Sequence, residues 1–146
     1  LDVIKREQLA ACLACVLNTD TSSGPGKHWV ALFVDARGRA ATPWTVEYFN
    51  SAGNPPPKEV TRWLEATAAR LVSHRAANPG VHGAGPVAPV VLTDVRHQNS
   101  STECGNYALY YIRRRLEGAP PSTFRSDHIP DDAMIEFRKH LFRSGK

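Results

Sequence analysis

Eight consecutive residues, His28–Asp35 (HWVALFVD), carry apolar side chains on both sides of an extended chain: Val30, Leu32 and Val34 on one, Trp29, Ala31 and Phe33 on the other. A strand with one wet face alternates apolar and polar residues; this run does not. It reads as a central strand buried on both faces, so the elements around it must supply cover on two sides. At 146 residues the chain has the size of one domain, and such a chain buries roughly two-thirds of the surface its unfolded form exposes.

The flanking pattern supplies that cover. Ala36–Pro43, with Gly38 and Pro43, reads as a hairpin connection to a second strand, Trp44–Asn50 (WTVEYFN). There Trp44, Val46, Tyr48 and Asn50 share one face, and Thr45, Glu47 and Phe49 the other. Ser51–Pro57 (SAGNPPP) stops the strand, and Pro57 suits the first position of a helix, where its missing N–H costs nothing. Lys58–Val72 sets Val60, Trp63, Leu64, Ala68, Leu71 and Val72 at helical spacing. Ser73–Pro89, dense in Gly and Pro, reads as a long loop. Val90–Val95 reads as a strand and Arg96–Glu103 as irregular chain. Gly105–Leu116 reads as a helix with Tyr107, Ala108, Tyr111, Ile112 and Leu116 inward, and Asp131–Phe142 as a last helix. In Leu1–Val16 the early part fits a helix and the later part a buried strand. Strands in the middle with helices around them make an α+β domain.

Composition narrows the function classes. With 42% hydrophobic and 22% charged residues, neither a disordered chain nor a coiled coil fits. No apolar run approaches the ~18 residues of a membrane span, so no membrane partner is expected. The net charge of +4 gives a weak pull toward nucleic acid or an acidic partner. The run Arg113-Arg114-Arg115 reads as a solvated helix face. Three cysteines are an odd, low count, which argues for an intracellular reducing compartment rather than a disulfide framework. Cys12 and Cys15 form a C-x-x-C with no second pair, so they read as core cysteines, and His74, His82 and His97 are too scattered for a metal site. We expect no metal and no cofactor. There is no starting methionine, and Lys5, Arg6 and Glu7 break any signal-peptide pattern. The chain reads as a piece of a longer protein, with residues 1–146 as a single catalytic domain.

The residues able to do chemistry fall in four places. Cys104 stands between a polar loop and an apolar helix, so its sulfur lies at a helix start. Unpaired N–H groups and the positive pole there stabilise negative charge. A small buried hydrophobe is the competing reading. A nucleophilic Cys needs a base, and the base an orienting group. His28 opens the central strand after a Gly-rich loop. A hairpin partner ends near where His28 begins, so Asn50 falls beside it. Glu47, a carboxylate, is the chemical rival but points to the other face; Asp35 lies at the far strand end. Gln98, six residues before Cys104, can donate an amide hydrogen bond to an oxyanion together with the Cys104 N–H.

The order His28, Asn50, Gln98, Cys104 resembles the cysteine-protease clan of adenovirus-type (adenain-like) processing proteinases and ubiquitin-like-modifier (Ulp-like) proteases. The matching stretches, VLNTDTSSGPGKHWVALFVD, VEYFNSAGNPPP and HQNSSTECGNYALYYIRRRL, run from Val16 to Leu116. Many of that clan carry Asp or Glu where Asn50 stands. The stretches before His28 and around Asn50 look most like the polyprotein-processing proteinases of large DNA viruses, which tolerate Asn.

The resemblance implies a papain-like α+β core with a central mixed sheet flanked by helices. It implies His28 as general base, Asn50 orienting it, Cys104 as nucleophile and Gln98 in the oxyanion hole, with Trp29 and Gly105 at the substrate groove. It further implies cleavage after a small residue such as Gly. The partner would be a polypeptide substrate, either a viral polyprotein or a ubiquitin-like-modifier conjugate, and a nucleic-acid or peptide activator fits the same clan. The location would be a virion or host cell. Three alternatives share these residues: an isopeptidase removing ubiquitin or a related modifier, an acyltransferase of the same clan, and a catalytically dead binding module.

Overall fold

The doubly apolar run forms strand β2 (Trp29–Asp35), an interior strand of a four-stranded sheet. The computed structural model describes residues 12–37, 43–81 and 83–142. The other strands are β1 (Cys12–Asn18), β3 (Thr45–Phe49) and β4 (Ala88–Leu92), and the helices are α1 (Lys58–Ala77), α2 (Cys104–Leu116), α3 (Thr123–Ser126) and α4 (Asp131–Leu141). The sheet order is β1-β2-β3-β4. β1 and β3 both run antiparallel to β2, while β4 runs parallel to β3 after the crossover through α1. This is a mixed sheet in an α+β fold.

Each face of the sheet has its own core, and the parity of β2 sorts residues between them. Val30, Leu32 and Val34 join Val46 and Tyr48 against Val60, Leu64 and Ala68 of α1. Ala31 and Phe33 join Phe49 and Leu92 against Tyr107, Ala108 and Tyr111 of α2, with Phe124 and Met134 behind. Phe49 stacks on Tyr111 at 4.5 Å between ring centroids, and Phe124 meets both rings edge-on. Burying aromatic surface in such pairs contributes beyond the area alone.

Arg115 overturns the expectation of a solvated arginine face. Arg113 and Arg114 lie outside, sharing Glu117, but Arg115 is only 3% exposed. Its guanidinium binds both oxygens of Glu47, at 2.7 and 2.8 Å, and reaches Asp35 at 3.3 Å. Burial opposes the Arg115 cation, yet the facing Glu47 carboxylate, then Tyr111 and Asp35, hold its proton more tightly than usual. The Asp35 carboxyl is pushed up by burial, but hydrogen bonds and charge from Arg37, with Arg115 added, keep it below the usual range. A third consecutive arginine turns inward because the helix rotates it by about 100° from its neighbour, over a carboxylate in β3.

Other boundaries move for local reasons. α1 continues five residues past Val72, to Ala77, because no breaker appears before Asn78-Pro79, where the residue preceding proline leaves the helical region. Pro57 caps that helix with extended backbone (ψ 155°) instead of occupying its first turn. The strand expected at Val90–Val95 is instead β4, Ala88–Leu92, with Pro89 tolerated at a sheet edge. Short α3 was not expected from periodicity. β1 is an edge strand, exposed at Leu13, Ala14 and Cys15 rather than buried, and residues 1–11 of the Leu1–Val16 segment lie outside the described residues, as do Gly38 and His82. Cys15 is exposed and Cys12 half-buried. Three residues apart on a strand, they point to opposite faces, so the pair is neither a core pair nor a chelate. No helix among the described residues is long and apolar enough to cross a membrane.

Candidate active site

The hairpin register places the residue before β2 beside the residue after β3. Ala31 pairs with Phe49, so the outward continuation of both strands brings His28 and Asn50 together. The His28 carbonyl is held by Thr19, from the backbone N at 2.8 Å and from Oγ1 at 3.2 Å. The half-buried imidazole presents Nε2 2.8 Å from Asn50 Oδ1. Asn50 is 2% exposed.

The contacts of Asn50 bear on which ring nitrogen carries the proton in the neutral imidazole. Its Oδ1 also accepts the Ala52 backbone N–H at 2.9 Å. An N–H can only donate, so the atom facing it is the amide oxygen. The His28 Nε2 facing that same oxygen must then carry the proton, which leaves Nδ1 with its lone pair free. Nδ2 of Asn50 donates to Tyr48 Oη at 2.9 Å, and Tyr48 Oη donates to the Asn54 carbonyl at 3.4 Å. Burial pushes the Tyr48 hydroxyl pKa up, against a smaller opposing effect of the Asn50 hydrogen bond.

Cys104 is the first residue of α2 and is 7% exposed. Glu103, the cap residue before it, accepts from Thr102 Oγ1 at 3.2 Å and from Asn106 Nδ2. The next residue, Gly105, lies against Trp29: a Cβ there would stand 3.9 Å from Trp29 Cδ1. The start of α2 therefore packs on the residue adjoining His28. Trp29 is itself 42% exposed, an open aromatic wall beside Gly105.

Gln98 is held at both ends. Ser51 Oγ donates to its Oε1 at 2.8 Å, and its Nε2 donates to the Ser100 carbonyl at 2.7 Å, so one of its two amide hydrogens stays uncommitted by these bonds. The Ser51 carbonyl accepts from the backbone N of both His97 and Gln98 at 2.9 Å. The turn after Asn50 thus anchors the loop that carries Gln98. Gly53 makes that turn with φ +77°, a left-handed conformation that glycine adopts without strain. Asp131 at the start of α4 fixes the same loop through the N–H groups of Asn99 and Ser100 at 3.1 and 2.9 Å.

The structure brings His28 to Asn50, Gln98 to Ser51 beside Asn50, and Gly105 to Trp29. Glu47 stands apart on the opposite face, committed to Arg115, Tyr111 and Thr45, and Asp35 serves Arg37 and Arg115. Sequence reasoning missed Tyr48, Ser51 and Asp131. The alternation that put Tyr48 on the same strand face as Asn50 was the available signal for the first; nothing local marked the other two.

The Ulp1 protease family, C-terminal catalytic domain, matches residues 10–145. A cysteine protease of an African swine fever virus isolate from Malawi is 50% identical over 129 residues, 88% of this chain and 43% of that protein. A SUMO-1 cysteine protease of a Kenyan isolate of the same virus matches at the same identity and coverage. The crystal structure of a selenomethionine form of the African swine fever virus protease superposes with a TM-score of 0.78 at 47% identity, covering 92% of this chain and 45% of that one. The chain spans less than half the length of these relatives.

Proposed function

The chain belongs to the Ulp1 protease family, and from that premise we propose that it is the catalytic domain of a cysteine endopeptidase cleaving after small residues of the Gly-X type. The observation that carries the reading is the His28–Asn50 hydrogen bond with its oxygen-first geometry, which supports Nδ1 of His28 in the role of base. His28 takes the proton of Cys104, and the sulfur attacks a peptide carbonyl carbon. The developing oxyanion is met by the Cys104 backbone N–H and the uncommitted amide hydrogen of Gln98. As the C–N bond breaks, His28 returns the proton to the leaving amine, and an acyl-enzyme remains. Water, deprotonated by His28, attacks the thioester and releases the acid and the free thiol. In this reading Trp29 and Gly105, which lie in contact, border the substrate groove beside the scissile carbonyl.

The substrate we assign is a viral structural polyprotein, in a reducing compartment. A second reading, removal of a ubiquitin-like modifier from its conjugate, is supported by the relative whose name refers to SUMO-1. The two differ in the surface recognised, not in the chemistry. The test sets a panel of Gly-Gly and Gly-X peptides beside an electrophilic modifier-tail probe. Peptide turnover without probe capture is the expected result. Capture of the probe with no peptide turnover moves the assignment to the isopeptidase, and neither reaction in a folded protein overturns the catalytic reading.

A further inference from the structure

We propose that the Tyr48 hydroxyl is a positioning group that holds the Asn50 amide oxygen-first toward His28, so that an amide can serve where a carboxylate would need no such control. The inference rests on His28 acting as the base. A carboxylate presents oxygen whichever way it turns, but an amide has one accepting end and one donating end. Turned over, Asn50 would aim Nδ2 at the imidazole. Nε2 would then have to accept, and the proton would sit on Nδ1, the nitrogen that must stay free for the cysteine. In serine proteases an amide in place of the orienting carboxylate produces that wrong tautomer and costs about 10⁴ in kcat.

Two contacts decide the orientation. The Ala52 N–H, 2.9 Å from Oδ1, can meet only an acceptor. Tyr48 Oη, 2.9 Å from Nδ2, is a hydroxyl and could serve either end, but its proton is directed at the Asn54 carbonyl. That commitment makes the oxygen an acceptor for Nδ2. A turned amide would draw the hydroxyl proton away from Asn54 and set Nδ2 against the Ala52 N–H. Tyr48 is fully buried and Asn50 nearly so, so water does not substitute for either partner. Without the hydroxyl, Nδ2 loses its acceptor in the native orientation and the preference weakens.

The test combines Tyr48→Phe, Asn50→Asp and the double variant with long-range ¹H–¹⁵N spectra of His28, recorded in the Cys104→Ala protein. The spectra need no turnover, so absence of peptidase activity would overturn the functional reading while the tautomer result still decides this one. The expected outcome is an Nε2–H imidazole in the parent and a measurable Nδ1–H fraction with Tyr48→Phe. kcat/KM falls about tenfold in the Asn50 background, the scale of one neutral hydrogen bond, and less than twofold in the Asn50→Asp background, where either oxygen serves. An Nδ1–H imidazole in the parent overturns the proposal. So does an unchanged tautomer with equal losses in both backgrounds, which is the signature of lost packing alone. Should Tyr48→Phe not fold, a ring-fluorinated tyrosine at 48, of like shape and poorer acceptor strength, is expected to shift the tautomer in the same direction, and an unshifted spectrum overturns the proposal.

Discussion

Glu47 of β3 and Arg115 of α2 meet side by side in the core, with Nη2 2.7 Å from one carboxylate oxygen and Nε 2.8 Å from the other, and water is excluded from both. The pair ties the far end of α2 to the sheet while Gly105, at its near end, rests on Trp29. The helix that presents Cys104 is therefore registered at two points along its length.

Removing one partner strands the other charge in the interior. Glu47→Ala is expected to cost about 3–5 kcal/mol of stability, read by urea denaturation, whereas replacing Glu47 and Arg115 together with apolar residues recovers most of it. Because Glu47 lies on the opposite strand face from Asn50, kcat per folded molecule in Glu47→Gln is expected to stay at the parent level. A selective fall in kcat with stability intact would return Glu47 to candidacy as the third catalytic member.

Cys104→Ala is expected to abolish turnover of a Gly-X peptide while moving stability by less than about 1 kcal/mol, checked by steady-state assay and thermal melts on the same preparation. Residual activity at the parent level would remove the sulfur from the mechanism.

His28→Ala is expected to reduce kcat/KM more than Asn50→Ala does, since the first removes the base and the second only its orientation. The opposite ranking, measured with one peptide at one pH, would reassign the roles of the two residues.

Gln98→Ala is expected to lower kcat by about 10²–10³ with little change in KM, the loss of one oxyanion donor. An effect confined to KM would make Gln98 a substrate contact instead.

His97 supplies a pH dependence. Its Nε2 donates to the Phe124 carbonyl at 3.2 Å and its Nδ1 accepts the Ile129 N–H at 3.2 Å, so the neutral ring is the bonded form. Burial, with a smaller effect of the charge on His128 stacked beside it, lowers its pKa from 6.5. Above 6.5 the contribution of the neutral ring is fully present. As pH falls below 6.5 the unfolded chain takes the proton first, and stability is lost progressively down to the folded value. The urea midpoint is expected to be lower at about pH 5 than at about pH 7.5, and His97→Gln to shrink that difference. An unchanged difference would place the acid sensitivity elsewhere.

The parts of the fold and site that were legible in the sequence depend on short-range pattern. The two-sided run of β2 demanded a central strand, and the parity of WTVEYFN set Asn50 and Glu47 on opposite faces, where they stand. The Cys-Gly start of α2 followed from the change between a polar loop and an apolar period. Arg115 was illegible because its partners Glu47 and Asp35 lie 68 and 80 residues away, and a run of arginines carries no mark of which one turns inward. Ser73–Ala77 was misread because the Gly and Pro of the following segment coloured the whole window. The tie from Ser51 to Gln98 depends on a turn and a loop meeting, which no period records.

The three thiols occupy three different surroundings: Cys15 open to solvent on an edge strand, Cys12 half-covered on its other side, Cys104 nearly enclosed. Alkylation with a small reagent will accordingly consume the bystander on the sheet edge as well as any activated sulfur, and total label incorporated will not count active molecules. Stoichiometric titration of competent enzyme needs a Cys15→Ser background or peptide-resolved mapping of the modified residue.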